Sequence, residues 1–201
     1  AVAIQQDGKI VTAGNIAGLG GDDILLTRFN PDGSPDASFG VAGRVITMIG
    51  AGSDEAHAIA LQADGKIVVA GDTYAGLATD GDVAILRYNP DGSPDGSFGA
   101  GGVTTIPIGA WPDSAHDVAI QPDGKIVAAG YHSSAGDYQI AVVRVGETGS
   151  PDNSFDGDGI RTLNVSAGSD SLESLLIEPG GSILAAGASD IDTRSPVRRS
   201  I

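Results

Sequence analysis

Three aspartates recur at one position of a repeating pattern, and their side chains are the first in this sequence with metal-ligand chemistry. Asp54, Asp113 and Asp170 stand at the same distance before a segment that reads Asp-Gly-Lys-Ile or, in its last copy, Gly-Gly-Ser-Ile. Carboxylate oxygens are the ligands that Ca²⁺ prefers. A ring of the three carboxylates would therefore hold a cation, with Ca²⁺ as the expected ion. The alternative is that each aspartate accepts backbone N–H bonds where a strand begins.

Two histidines share a second position of the same pattern. His57 and His116 follow the first two aspartates at equal intervals, and the last copy has Glu173 there. Imidazole and carboxylate are both metal-ligand types, but duplication of a unit also produces such a pair without any function. No Ser-His-Asp order and no phosphate-binding glycine loop stands out. We therefore predict no catalytic residues and no cofactor apart from the cation described above.

Arginine recurs inside an otherwise apolar segment in each of the first three copies. Because a buried guanidinium needs an anionic partner, these arginines predict ion pairs within their own unit. The aspartate of the Ser-Pro-Asp segment that follows is the expected bidentate partner. The predicted structural pairs are Arg28 with Asp36, Arg87 with Asp95, and Arg144 with Asp152.

Short β-branched segments and turn residues must position all of these side chains. In the second copy, Asp64-Gly65 suits a tight hairpin, and Asn89-Pro90 begins a second turn. Gly71 ends the second apolar segment, and Pro107 suits an edge strand because it lacks an amide donor. We predict strands over 57–62, 66–70, 83–88 and 103–107, with a polar loop over 72–82.

The pattern returns with a period of about 58 residues, which makes each copy one supersecondary unit. Four short strands per unit, with no helical periodicity, are typical of a β-propeller blade. The nearly continuous apolar character of the first three strands indicates sheets covered on both faces by neighbouring sheets. The sequence therefore predicts an all-β fold, a β-propeller of four-stranded antiparallel blades with about 3.5 blades in this chain. The predicted repeats are 1–53, 54–112, 113–169 and an incomplete 170–201.

Two segments of the repeat carry a resemblance to a known family. Residues 62–71 read Gln-Ala-Asp-Gly-Lys-Ile-Val-Val-Ala-Gly, and residues 87–99 read Arg-Tyr-Asn-Pro-Asp-Gly-Ser-Pro-Asp-Gly-Ser-Phe-Gly. Over residues 1 to about 187, the pattern resembles the delta-sixty-type bacterial β-propeller repeat and, more loosely, the NHL-type blade. The resemblance implies a propeller in bacterial multi-repeat proteins that are often secreted or exposed at the surface. It implies no common activity and supplies no catalytic residues.

The number of blades is too small to close a propeller. The first copy lacks the start of its first strand, and the last departs from the pattern at Ser189–Ile201, where a third strand is expected. Propellers close with about 4 to 8 blades, so two blade faces would stay uncovered. We expect the sequence to be a fragment of a longer propeller. Self-association of two copies to close the ring is the alternative.

The net charge of −15, from 26 acidic and 11 basic residues, limits the partners of this chain. Such a surface repels phosphate groups, so we expect no nucleic-acid partner. No apolar stretch of about 18 residues is present, so the sequence predicts no insertion into a membrane. A protein or glycan ligand at the loop-bearing face is the expected partner, and Trp111 is a candidate to stack on a sugar.

These features and the resemblance predict a non-enzymatic binding or scaffold module of a bacterial extracellular or cell-surface protein. An enzyme site should break the repeat, whereas the aspartates and histidines at the mouth of the central channel recur from blade to blade. The alternative is a hydrolase or lyase that acts on a glycan or peptide, with its site at the channel mouth.

Overall fold

The computed structural model describes residues 1–74, 81–134 and 136–190, and every regular element in these ranges is a β-strand. Three antiparallel sheets of four strands and one of two strands follow one another along the chain. Each sheet pairs its strands in chain order, which is the meander of a propeller blade. The predicted fold class is thus confirmed. In the same ranges there is no helix with the length and apolar character needed to cross a bilayer.

The strands have the following bounds. Blade 1 contains β1 (Val2–Ile4), β2 (Ile10–Ala17), β3 (Asp22–Phe29) and β4 (Arg44–Thr47). Blade 2 contains β5 (Asp54–Leu61), β6 (Ile67–Tyr74), β7 (Gly81–Tyr88) and β8 (Val103–Ile106). Blade 3 contains β9 (Asp113–Ile120), β10 (Ile126–Ser134), β11 (Asp137–Val145) and β12 (Ile160–Leu163). The described part of blade 4 contains β13 (Asp170–Ile177) and β14 (Ile183–Ser189).

Alternating residues of a central strand face different neighbouring blades. In β6, Ile67 and Val69 belong to a core cluster with blade 1, whereas Val68 and Ala70 belong to one with blade 3. A third cluster, which includes Val127, joins blades 3 and 4. Because both faces of a blade are buried, its central strands need apolar side chains at every position, which explains their continuous apolar sequence.

The Asp-Gly hairpins form tight turns that depend on glycine. Gly65 has φ of 84°, a conformation that residues with a Cβ rarely adopt. Its N–H donates to Gln62 O at 2.9 Å, and the Asp64 carboxylate accepts from Lys66 N at 3.1 Å. The turn chemistry of this dipeptide therefore sets the connection between the first and second strands of a blade.

The second strand of the blade runs past the glycine at which the sequence predicted its end. β6 continues to Tyr74 and β7 begins at Gly81, so the predicted loop over 72–82 was wrong at both ends. Gly71 lies opposite a β-bulge in β5, where the register shifts between Ala56 and Ala58. A Cβ on Gly71 would lie 1.8 Å from Glu55 O. Glycine is required here by the close approach of two backbones and not by a turn.

The blades at the two ends of the described residues expose apolar side chains. Val2 and Ile4 of β1 are exposed, as are Leu176 and Leu184 of blade 4. The sheets of the described residues thus form an open arc, as expected of a partial propeller. The predicted departure from the repeat falls on Ser189–Ile201, of which residues 191–201 lie outside the described residues.

Candidate functional site at the strand-start end of the blades

The three predicted metal-ligand aspartates lie at one end of the blades. Asp54, Asp113 and Asp170 are the first residues of β5, β9 and β13, and we call them the strand-start aspartates. The end at which first and third strands begin is the strand-start end, and the opposite end, with the Asp-Gly hairpins, is the hairpin end. All three carboxylates are buried.

Hydrogen bonds from the preceding connector and from the second strand of the same blade occupy the first two strand-start aspartates. Asp54 Oδ2 accepts from Ile49 N at 2.7 Å, and its Oδ1 accepts from Thr73 Oγ1 at 2.5 Å. Asp113 accepts a backbone N–H bond of 2.8 Å, and its Oδ1 lies 2.7 Å from His132 Nδ1. His132 lies in β10, where the register of the sheet pairs it directly with Asp113.

The third strand-start aspartate is also held by backbone N–H groups. Asp170 Oδ2 accepts from Val165 N at 2.8 Å and from Ser166 N at 3.0 Å. Burial acts to raise the pKa of Asp170, but the nearby Ser189 side chain and the hydrogen bonds from these amides lower that pKa to about 2. Among residues 1–74, 81–134 and 136–190, no group of three or more His, Asp or Glu is arranged to hold a metal ion. The Ca²⁺ site stays a prediction. A bound cation would have to replace hydrogen bonds of Asp54 and Asp113, whereas Asp170 Oδ1 is buried with no hydrogen-bond partner among the described residues.

A second set of side chains at the strand-start end links blade 2 to blade 3. His57 is the extra residue of the bulge in β5, and its Nε2 lies 2.8 Å from Asp72 Oδ1. The buried Ser114 of β9 donates to the same oxygen at 2.6 Å. Because an ionised carboxylate only accepts hydrogen bonds, His57 is the donor to Asp72. This bond raises the pKa of His57, against the opposing effect of partial burial.

Aromatic side chains extend this set across blades 3 and 4. His116, the extra residue of the bulge in β9, contacts the His57 ring edge-on with 5.7 Å between centroids. Its Nδ1 lies 3.2 Å from Oε2 of Glu173, the extra residue of the bulge in β13. The Tyr131 ring lies 5.4 Å from that of His116 and 4.4 Å from that of Tyr138. We call the following residues the mouth cluster: His57, Asp72, His116, Tyr131, Tyr138 and Glu173.

The bulges explain why three members of the mouth cluster stand at one level of consecutive blades. Each bulge inserts a residue into the first strand of its blade, which changes the direction of that side chain. A glycine lies opposite each bulge, where a Cβ would meet the backbone of the first strand. These glycines are Gly71, Gly130 and Gly187.

At the hairpin end, the predicted Arg–Asp pairs are in contact, but the expected bidentate geometry was wrong. Each arginine reaches its aspartate through Nε alone, because an Nη group donates to a serine of the connector instead. Arg87 Nε donates to Asp95 Oδ2 at 2.7 Å, and Lys66 Nζ lies 3.1 Å from the same oxygen. The guanidinium lies over the Phe98 ring, 4.6 Å from its centroid. The Ser97 hydroxyl donates to Asp95 Oδ1 at 2.7 Å. This bond, together with those from Lys66 and Arg87, holds the pKa of Asp95 well below its usual range despite the opposing effect of burial.

The same group of Lys, Arg, Asp and Phe recurs in blades 1 and 3, and we call it the staple. Arg28 Nε donates to Asp36 at 2.7 Å, and Arg144 Nε donates to Asp152 at 2.8 Å. Arg28 also donates from Nη1 to Pro90 O of blade 2, so its staple reaches across a blade junction. The staples join the third strand to the connector that follows it, which suits a structural role.

Three segments of the chain match a family described as a domain of unknown function (DUF5122) β-propeller. The matched residues are 5–39, 62–98 and 121–155, which together make up more than half of the chain. The chain belongs to the DUF5122 β-propeller family. Each DUF5122 segment runs from the glutamine before an Asp-Gly hairpin to the staple phenylalanine, so the staple lies inside the matched region. No curated protein matches the chain.

In this DUF5122 chain, the mouth cluster contains side chains that sequence analysis did not select. Asn15, Asp72, Tyr131 and Ala188 hold equivalent positions in the four copies, so this position changes in every blade. The recurrence of mouth residues from blade to blade, which favoured a scaffold over an enzyme, therefore holds for the aspartates but not for this position. A variable position directly after the recurring Ala-Gly was the signal that could have identified it.

Proposed function

We propose that this chain is a non-enzymatic binding module whose recognition surface is the mouth cluster. The observation that carries the proposal is that side chains which differ between blades, such as Asp72 and Tyr131, come together with three bulge residues. The staples repeat because every blade needs them. A surface that varies on a repeated scaffold is suited to specific recognition.

The mouth cluster combines an accessible aromatic surface with fixed polar groups. Tyr138 is 44% exposed, whereas Asp72 is buried and is held by His57 and Ser114. Binding sites commonly place a few oriented polar groups beside apolar or aromatic side chains. The cluster therefore offers a ligand both a ring to stack on and groups of fixed direction.

The order of the polar side chains does not favour a hydrolase with a serine nucleophile and a histidine base. Such a nucleophile needs the imidazole in contact with its hydroxyl. Ser114 instead donates to Asp72 Oδ1, and His57 donates to that same oxygen. The carboxylate thus lies between hydroxyl and imidazole, and His57 is not placed to take the serine proton.

Secretion or cell-surface exposure in a bacterium, and the narrower delta-sixty-type assignment, are further parts of this proposal. They rest on the resemblance of the repeat, including the Gln-x-Asp-Gly-Lys-Ile segment at residues 62–67. A protein or a glycan is the proposed ligand class. The half-exposed Trp111, between β8 and β9, offers a sugar another ring at the strand-start end.

Glycan and peptide arrays probed with the fluorescently labelled chain test this function. We expect the wild type to bind at least one ligand and Tyr138→Ala to lose that binding. The matched control is Val41→Ala, which removes an exposed apolar side chain from the connector before β4, at the hairpin end. Circular dichroism melts establish that both variants fold. Binding that is equal in the two variants, or absent in the wild type, would contradict the proposal.

A further inference from the structure

We propose that the mouth cluster binds Lys or Arg side chains of a basic peptide segment, an inference that rests on the binding function proposed above. Carboxylates and tyrosine rings stand together there, at an end of the blades where the described residues contain no Lys or Arg. The ligand class follows from that combination of charge and aromatic surface.

Positive side chains of the described residues are confined to the hairpin end. Lysines stand directly before the second strands β2, β6 and β10. Arginines lie near the ends of the third strands or at the starts of fourth strands β4 and β12. By contrast, β3, β5, β9, β11 and β13 each begin with an aspartate at the strand-start end. Such a distribution concentrates negative potential at the strand-start end and attracts a cationic partner.

Glu173 of the mouth cluster and Glu55, next to His57 in β5 through the bulge, have carboxylates that are open to a partner. The Glu55 and Glu173 side chains are 40% and 57% exposed. Within the described ranges, the basic group that contacts each of them is a histidine, at 3.9 Å from Glu55 and 3.2 Å from Glu173. An ammonium or guanidinium group from a partner would pair with their exposed oxygens without removing a Lys or Arg contact.

The tyrosine pair supplies the second half of the recognition chemistry. The Tyr131 and Tyr138 rings are tilted by 40° with centroids 4.4 Å apart, and Tyr138 is 44% exposed. A cation within about 6 Å of a tyrosine centroid is attracted by the electron-rich face of the ring. A Lys or Arg side chain that extends over Tyr138 would gain this attraction and a nearby carboxylate together.

The spread of exposed carboxylates favours a peptide segment over a single small cation. Glu55 belongs to blade 2, Asp137 to blade 3 and Glu173 to blade 4. Each is at least partly exposed. Several cations on one extended chain would match a set of carboxylates that crosses three blades, and linked contacts increase affinity together.

Fluorescence anisotropy with a labelled hexalysine peptide tests the inference. We expect the wild-type chain to bind hexalysine and hexaarginine but not hexaglutamate. Tyr138→Ala should weaken hexalysine binding by about three- to tenfold, and Glu173→Gln by about threefold or more. The matched control is Glu178→Gln, which removes the same charge from blade 4 after β13, at the hairpin end. Its affinity should stay within about twofold of the wild type.

Three results would overturn the inference. One is an equal loss of affinity in Glu178→Gln and Glu173→Gln, since overall charge alone would then explain binding. Another is no binding of either basic peptide. The third is binding of spermidine with the same dependence on Glu173 and Tyr138, because a free polyamine would then be the ligand.

The arrays separate failure of this inference from failure of the proposed function. A glycan or non-basic peptide that requires Tyr138, together with no binding of hexalysine, would end the basic-peptide inference and leave the binding function standing. If no probe binds in a Tyr138-dependent manner, both are refuted.

Discussion

Removal of Arg87 is the perturbation for which the contacts give the clearest magnitude. Arg87 is 4% exposed and Asp95 is 5% exposed, and the two side chains are in direct contact. Removing one partner of a buried ion pair costs about 3–5 kcal/mol, because the other charge is left buried without it. Lys66 still contacts Asp95 in Arg87→Ala and replaces part of the lost charge. We therefore expect the lower value, a loss of about 3 kcal/mol in the free energy of unfolding.

Differential scanning calorimetry converts this loss into a measurable shift. For a chain of 201 residues, each kcal/mol changes the melting temperature by about 2–4 °C. Arg87→Ala should therefore melt about 6–12 °C below the wild type.

A matched control separates the staple from arginine removal in general. Arg161 Nη1 lies 2.9 Å from Asp156 Oδ1, but both side chains are exposed, at 54% and 39%. Exposed pairs contribute about 0–1 kcal/mol, so Arg161→Ala should melt within about 4 °C of the wild type. Equal melting temperatures for Arg87→Ala and Arg161→Ala would refute the stabilising role of the staple.

Three further measurements test other parts of the structure. His57→Gln should remove a pH-dependent part of the free energy of unfolding. The bond to Asp72 raises the pKa of His57 above 6.5. The stabilisation by His57 is therefore complete below about pH 6.5 and is lost as the pH rises through the folded-state pKa. The difference between wild type and variant in urea unfolding should thus shrink as the pH rises above about 6.5, and a constant difference would contradict this. Gly71→Ala should lower the free energy of unfolding by about 2 kcal/mol or more, because the new Cβ would clash with Glu55 O. Gly14 holds the equivalent position of blade 1, where a Cβ would meet no atom within 4 Å. Gly14→Ala should therefore change that free energy by about 0.5 kcal/mol or less. Urea unfolding would count against the bulge explanation if the two glycine variants behaved alike. Calcium chloride and EDTA should leave the melting temperature unchanged, because the strand-start aspartates already accept hydrogen bonds. A Ca²⁺-dependent rise in melting temperature that disappears in Asp54→Asn would instead support the predicted cation site.

The staple contacts could be predicted from the sequence because their chemistry is local. Arg87 and Asp95 are separated by 8 residues and lie on either side of a turn marked by Pro90 and Gly92. An arginine within an apolar strand needs an anion, and few carboxylates lie within reach of it. Local turn chemistry and the requirement for charge pairing therefore lead to the same partner.

The mouth cluster could be predicted only in part because its contacts cross blade junctions. Ser114 and Asp72 are 42 residues apart in sequence, and they meet only because blade 3 packs on blade 2. The bulge that redirects His57 leaves one indirect trace, Gly71, which the sequence alone suggested to be the end of a strand. A glycine inside an apolar run fits a turn, a strand end or a bulge, and the choice depends on the neighbouring strand.

By itself, the sequence determined the unit of this protein: its strands, its Asp-Gly hairpins, its staples and its all-β class. These follow from turn residues and apolar periodicity, which act over a few positions. Tertiary structure alone decided that His57, His116 and Glu173 share one end with Tyr131, because stacking of blades sets which bulge residues become neighbours. It also decided between the two interpretations of the strand-start aspartates, since each accepts a backbone N–H bond from the residue five positions earlier, in the connector before its strand.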